Sequence, residues 1–444
     1  MGRRHGEHAV RAFATVVAAA ALALLAPAGP ATASAATTCN LVAATDGSDS
    51  NPGTAAQPLR SPGRLAAALA PGQTGCLREG TYSWSGDLSI RTASITLTSF
   101  GEEQAVMQGR VRIEATATGA VLEGLVLDGR NPGNELSPLI YASQVVLRDN
   151  EITNHHTGIC IHLDRYYDNP VPTNVVIEGN RIHDCGALPA NNFDHGIYVG
   201  KAEGTVIRDN WIYDNANRGI QLYSQAQHTQ ITGNVIDGNG QGVIFGGEQS
   251  NPSSNNVVEG NVISNSKLRD NVESSWGGSP GTGNVVRGNC IGGGTYDEGD
   301  GGILSAPNRG FAENGNTIAE PEFVNRSAGD LSLVPGSVCD QVLNGGVAPP
   351  PEPGALTLEA GKDELVAGQQ LILKGASRGV QTVRLMIRRT GKWHLLENVG
   401  VHGERGRYRV HVRVHRSGRA RFKAEATGAK ASKPVRVEVH RRKR

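Results

Sequence analysis

From Val145 to Gly292 the chain repeats one phrase six times: two or three apolar residues, a polar pair, an asparagine and a further apolar residue. The copies are VVLRDNEI (145–152), VVIEGNRI (175–182), TVIRDNWI (205–212), TQITGNVI (229–236), VVEGNVI (257–263) and VVRGNCI (285–291). Apolar and polar positions alternate within each, as in a short strand with one face inward. A second phrase of the Gly-Ile type recurs between them: GICIH (158–162), GIYVG (196–200), GIQLY (219–223), GVIFG (242–246) and, more loosely, NVESS (271–275) and GGIL (301–304). The asparagines Asn150, Asn180, Asn210, Asn234, Asn261 and Asn289 are 30, 30, 24, 27 and 28 residues apart. That period marks a solenoid whose turns bury their apolar faces only against one another. Two or three short strands per turn, joined by Asn and Gly bends, predict an all-β parallel β-helix. The asparagines would then stack as an amide ladder. A β-sandwich with Asn-rich turns would not hold Asn in register six times.

The flanking pattern completes the architecture. Ser61-Pro62 followed by Leu65, Ala68 and Leu69 predicts a short amphipathic helix ending at Pro71-Gly72, a cap for the open end of the solenoid. ITLTSF, VRIEATA and AVLEGLVLDG, between Ile95 and Gly129, read as the first coils, and 311–337 as a fading last one. After a stiff Pro-rich linker (347–354), residues 355–440 alternate in strands every ten to fourteen residues. That pattern predicts a small immunoglobulin-like β-sandwich. Residues 441–444 form a basic tail.

Composition changes this picture in three places. Arg3, Arg4 and Arg11, the apolar run Phe13 to Leu25 and the small residues near Ala35 and Ala36 predict a signal peptide over 1–36. The helix domain then spans 37–346, the expected location is extracellular or cell-surface, and no membrane span is expected. Six cysteines in an oxidising compartment favour disulfides, and closeness along the solenoid pairs Cys39 with Cys76, Cys160 with Cys185, and Cys290 with Cys339. The near-neutral whole conceals a split. Residues from Ala355 onward hold 22 basic and 7 acidic side chains, net +15, against −14 before them. In an exported chain the basic module suits an anionic cell-surface polymer rather than nucleic acid. A monomer is expected.

GSDSNPGT (47–54), the following P-L-x-S-P, the short helix and GTY (80–82) resemble the opening of secreted pectate-lyase-like right-handed β-helix proteins. The resemblance covers roughly residues 40 to 340. It implies the fold and leaves the reaction open among lyase, epimerase, hydrolase and no catalysis. Secreted alginate epimerases of that superfamily carry Tyr-Gly-Phe-Asp-Pro-His, where this chain has Thr157-Gly158-Ile159-Cys160-Ile161-His162. His162 matches and the acid does not, which counts against an epimerase. Asp194-His195-Gly196-Ile197 is similar to a later coil of the same enzymes.

Insertions show which sheet works, because the shortest turn reveals what a coil needs. The loops 164–173, 186–193 and 247–256 all flank the Gly-Ile strands, making that sheet the floor of a groove. With Ile159, Ile197, Ile220 and Val243 inward, the outward positions hold Cys160, His162, Tyr198, Gln221, Tyr223 and Ile244. Such a set suits a polysaccharide, and β-elimination on a uronate is the leading expectation. His195 or Lys201 would be the base, Arg218 the carboxylate neutraliser, and Tyr198 or Tyr223 the acid, with Asp194 orienting His195. His162, Gln221, Tyr223, Glu273 and Trp276 would contact sugar. Asp164, Asp168 and Asp194 are candidate calcium ligands, the only cofactor expected. Strict alternation, however, places His195 on the inward parity. A non-catalytic glycan-binding or surface protein is the alternative from another class, with an epimerase or a glycoside hydrolase behind it.

Overall fold

The computed structural model describes residues 38–344 apart from 132, 134–135 and 305–308. It also describes 356–441 apart from 363, 377–381, 390–391, 401–406, 416, 427–430 and 433. The expected leader, the linker and residues 442–444 lie outside the described residues.

The repeats stack as a parallel β-helix with three strand columns. The first halves of the asparagine phrases form an eleven-stranded parallel sheet running from Leu41–Ala43 to Phe311–Asn314. The residues just past each asparagine stack as a second column, including Glu151–Thr153, Arg181–His183, Trp211–Tyr213, Val235–Asp237 and Val262–Ser266. The Gly-Ile phrases make the third: Ile161–Leu163, Ile197–Val199, Arg218–Leu222, Gln241–Gln249 and Val272–Gly278. Alternation sends Ile207, Ile212 and Ile220, one from each column, into a single core with their copies above and below.

Asparagine sets the register at the first bend. Each side-chain amide donates to the next asparagine's carbonyl oxygen at 2.9 to 3.0 Å, from Asn150 through Asn180, Asn210, Asn234, Asn261 and Asn289. The ladder runs one rung further, to Asn316, in a coil whose apolar phrase has faded. Each amide also caps a strand carbonyl, as Asn210 does at Ile177 (2.9 Å). A bend one residue out of register would strand several buried polar groups at once. Shorter ladders, Asn215 to Asn239 and Asn256 to Asn284, hold the other bends.

The ends are closed as their chemistry requires. The helix Pro62–Ala68 starts at Ser61, whose hydroxyl accepts from the Arg64 N–H, and presses Leu65 and Leu69 onto Gly75. A side chain at Gly75 would collide with both. At the other end residues 323–343 fold back over the second column. There Leu331, Leu333, Cys339 and Val342 pack with Tyr213, Val235, Val262 and Cys290. The three disulfides join Cys39 to Cys76, Cys160 to Cys185 and Cys290 to Cys339, the pairing that proximity along the solenoid predicts.

One register differs from the sequence reading. Ile161, not Ile159, lies opposite Ile197. Cys160 is fully buried in its disulfide and does not belong to the outward column.

Residues 356–441 form a three-stranded and a five-stranded sheet. Leu371, Leu373, Tyr408 and Val410 from the first share one core with Val383, Leu385, Phe422 and Val437 from the second. The result is a small β-sandwich.

Candidate functional site

Covering the second column leaves the third as the sheet with long flanking loops. Its outward positions are in register: Leu139, His162, Tyr198, Gln221, Ile244 and Glu273. Neighbours in this row are about 4.8 Å apart, the strand spacing. Loop 186–193 borders the upstream edge, and loop 164–173 and the extension 247–256 the downstream edge. The two inner loops carry aromatic tips, Tyr167 (77% exposed) and Phe193 (76% exposed). Sequence reasoning found the loops but not these rings, although an aromatic inside an insertion is itself a signal.

Arg218 sits beneath the upstream loop and is only 6% exposed. Its Nε donates to Gln241 Oε1 (3.0 Å), and one Nη donates to both Asn192 O (2.6 Å) and Gln221 Oε1 (2.7 Å). All three acceptors are neutral. Burial holds the guanidinium below its ordinary range, an effect opposed by the charge of Glu273. Glu273, 1% exposed, is itself paired with Arg269, Nη2 to Oε1 at 2.9 Å.

The histidine proposed as base is not available to a polymer. His195 is 0% exposed, neither ring nitrogen has a hydrogen bond of good geometry, and burial followed by Arg218 drives its pKa well down. Its ring stacks with Tyr198 (5.9 Å between centroids), and His162 stacks on Tyr198 from the next strand (4.8 Å). Burial lowers His162 and raises the Tyr198 phenol. Asp194 does not orient His195. Its two oxygens accept the N–H groups of Ala187 (2.7 Å) and Asn191 (2.8 Å), which shapes the loop that delivers Asn192 O to Arg218. It is a positioning residue, and Asx-type loop closure is its physical basis.

The remaining candidates divide. Tyr223 donates to Glu248 Oε2 (3.1 Å) at the downstream edge, where its ring lies over Gly246. A Cβ at Gly246 would meet that ring at 2.6 Å. Lys201 lies past the bend beyond Tyr198, its backbone N–H donating to Asp164 Oδ1 (3.1 Å). Trp276 is withdrawn from the groove, its indole donating to Arg309 O (3.0 Å) with the ring against Gly310. The calcium set does not converge. Asp164 caps Lys201, Asp194 caps its own loop, Asp168 is exposed, and no group of three potential metal ligands occurs among the described residues.

Buried polar atoms without a protein hydrogen-bond partner concentrate here. Of ten in the described chain, five belong to His162, His195, Asn217 and Gln241. Folded proteins satisfy nearly all such atoms, so a cluster of exceptions marks a place built for something other than stability. A second concavity, about 640 Å³ beside the cap helix, contrasts with it. Its acidic side chains are already matched, Asp49 by Ser61 and Asp87 by Arg110 and Arg112.

Residues 138–309 match the family described as the right handed beta helix region. Pectate lyase Pel9A superposes with a TM-score of 0.51 at 13% identity, over 68% of this chain and 90% of that one. The complex of XylC with xylose gives 0.44 at 11%, over 84% and 99%. A rhamnogalacturonan lyase gives 0.37 at 13%, over 66% and 95%. No curated protein matches the chain in sequence. In fold, residues 138–309 are therefore a right-handed parallel β-helix, a fold that pectate lyase Pel9A shares.

Proposed function

We propose that this is an extracellular, carbohydrate-active protein that lays an acidic glycan along the third sheet, with a uronate carboxylate at Arg218. The observation that carries the reading is the guanidinium itself. A buried cation is ordinarily paired with an anion, and Arg218 has only neutral acceptors in reach. Its second Nη makes no hydrogen bond among the described residues, which leaves a donor edge for a carboxylate. Stacked His162 and Tyr198, and the loop aromatics Tyr167 and Phe193, supply flat surfaces for sugar rings. Three disulfides fit an oxidising compartment, and the pectate-lyase-like fold favours a glycan over other polymers.

The reaction this arrangement favours is β-elimination. Arg218 neutralises the carboxylate and so acidifies the C5 proton, and the Tyr198 phenol, kept protonated by burial, gives its proton to the leaving oxygen. With His195 sealed, Lys201 is the remaining base of the set. The burial of His195 and the loop-closing role of Asp194 favour the second reading, a glycan-binding protein without turnover. Absorbance of unsaturated uronate product separates the two on a panel of uronate polysaccharides. Product that disappears in Arg218→Ala supports the lyase. Binding that needs Arg218, without product on any glycan, supports the binding protein. Absence of Arg218-dependent binding to every acidic glycan overturns both.

A further inference from the structure

The β-sandwich carries a line of guanidinium groups that its own fold leaves unmatched. Residues from Ala355 onward hold 22 basic and 7 acidic side chains, net +15. In the five-stranded sheet Val437, Phe422 and Ile387 face the core, so their neighbours Arg436, Arg421 and Arg388 face out. Register sets Arg421 directly opposite Arg436, and Arg388 directly opposite Trp393. Ile387 pairs with Phe422, and the same register carried one residue on brings Arg388 beside Arg421. Three arginines and a tryptophan thus cross four adjacent strands in one line, about 4.8 Å apart.

Like charges set directly opposite one another destabilise a sheet. The acids of this face stand against other cations. Glu425 pairs with Lys423 and lies opposite Arg384, and Glu438 lies opposite Arg419. Neither Arg421 nor Arg436 has an ion pair or a hydrogen bond from its side chain among the described residues. Trp393 ends the line, with Lys423 at 4.6 Å and Arg388 at 6.0 Å from its ring centroid. Stability does not account for an alignment that costs stability, so the line is kept for an anion.

Resting on the acidic-glycan reading for the identity of the ligand, we propose that this line is a second binding surface for the same polysaccharide, whose carboxylates dock on Arg388, Arg421 and Arg436. Guanidinium forks suit carboxylates. A uronate chain laid across the strands presents one carboxylate per sugar, a repeat about as long as one strand spacing. Residues before Ala355 are net −14 and repel a polyanion at long range, while the buried Arg218 acts only at contact. The basic module supplies the attraction that the helix domain lacks, so capture and recognition are divided between the two. Three disulfides fit an oxidising compartment, which favours a glycan over nucleic acid.

The test measures binding of the full chain to immobilised polygalacturonate. Arg421→Gln combined with Arg436→Gln should lower the apparent affinity about tenfold at low salt without lowering the melting midpoint, because the change removes a repulsion. In the unmutated chain, raising the salt from about 20 to about 300 mM should weaken binding severalfold, and the double variant should respond less. An affinity indifferent to the double substitution, or lost together with a lower midpoint, overturns the inference. So does arginine-dependent binding to phosphatidylglycerol vesicles without binding to polygalacturonate, which assigns the face to a membrane. Arg218→Ala separates this failure from failure of the underlying reading. A loss in the double variant but not in Arg218→Ala keeps the sandwich surface and removes the groove reading. A loss in Arg218→Ala alone keeps the groove and overturns the sandwich surface.

Discussion

Two outer faces of one solenoid, built from the same coils, have been used in opposite ways. On the second column every charged group named below has its partner. His183 lies between Asp184 (2.9 Å) and Glu151 (3.6 Å). Asp237 accepts from Ser264 (2.7 Å), Asn265 (2.7 Å) and Arg326 (2.5 Å), the last from the segment that folds back over this face. On the third column Arg218 has only neutral hydrogen-bond acceptors, and among the described residues nothing folds over it but a loop. Satisfied charge stabilises, and unsatisfied charge is kept for a ligand. The difference teaches which face to call scaffold.

The comparison is broken most directly at Asp237. Asp237→Ala removes three hydrogen bonds and strands Arg326 against the covered face, a loss of about 3 kcal/mol. Urea denaturation should show it, and limited proteolysis should find cleavage within 311–344. A loss below about 1 kcal/mol would mean that the second face is not held by its pairs. The mirror experiment is Arg218→Met. Glycan affinity should fall between tenfold and a hundredfold, about 1.5–3 kcal/mol for hydrogen bonds to a charged ligand, while the denaturation midpoint hardly moves. A large loss of stability with affinity retained would make Arg218 a scaffold residue.

A smaller effect lies in the pH dependence of the second face. Asp184 and Glu151 outweigh burial and raise His183 from 6.5 to about 9. The folded state holds this proton more tightly than the unfolded chain. The stabilisation is therefore complete below about pH 6.5 and is lost as pH rises through about 9. It should amount to about 1–2 kcal/mol after screening by solvent. Thermal melts at pH 6, 8 and 10 should show the step, and His183→Gln should abolish it.

Much of this contrast was legible before any coordinates. Periodicity alone specifies the solenoid, because a β-helix repeats its bend chemistry in register. The insertions point to the third column, because a loop absent from the minimal coil is not needed for folding. Partnership was not legible. Asp194 precedes His195 in the chain and looks like its orienting acid, yet its oxygens turn back to Ala187 and Asn191, which no spacing rule reveals. Cys160 shares the parity of His162, yet it is fully buried in its disulfide, and the first rung lies two residues from the expected register. Trp276 looks like a sugar platform and is instead folded onto Gly310.

The finest test concerns His195, the residue that chain and structure read most differently. Burial, reinforced by Arg218, keeps the folded imidazole neutral, so its pKa lies well below 6.5. The unfolded chain takes up a proton below about pH 6.5 that the folded chain refuses. Folding is thus penalised progressively as pH falls, and not at all above neutrality. His195→Leu, which fits a site already sealed from water, should change stability by less than about 1 kcal/mol at pH 8. At pH 5 the variant should unfold later than the parent. At pH 8 it should retain Arg218-dependent glycan affinity within about twofold, since the ring does not reach the ligand. An affinity lost together with His195, at unchanged stability, would return the ring to the working surface. The third column would then contain a functional group that burial alone assigns to the interior.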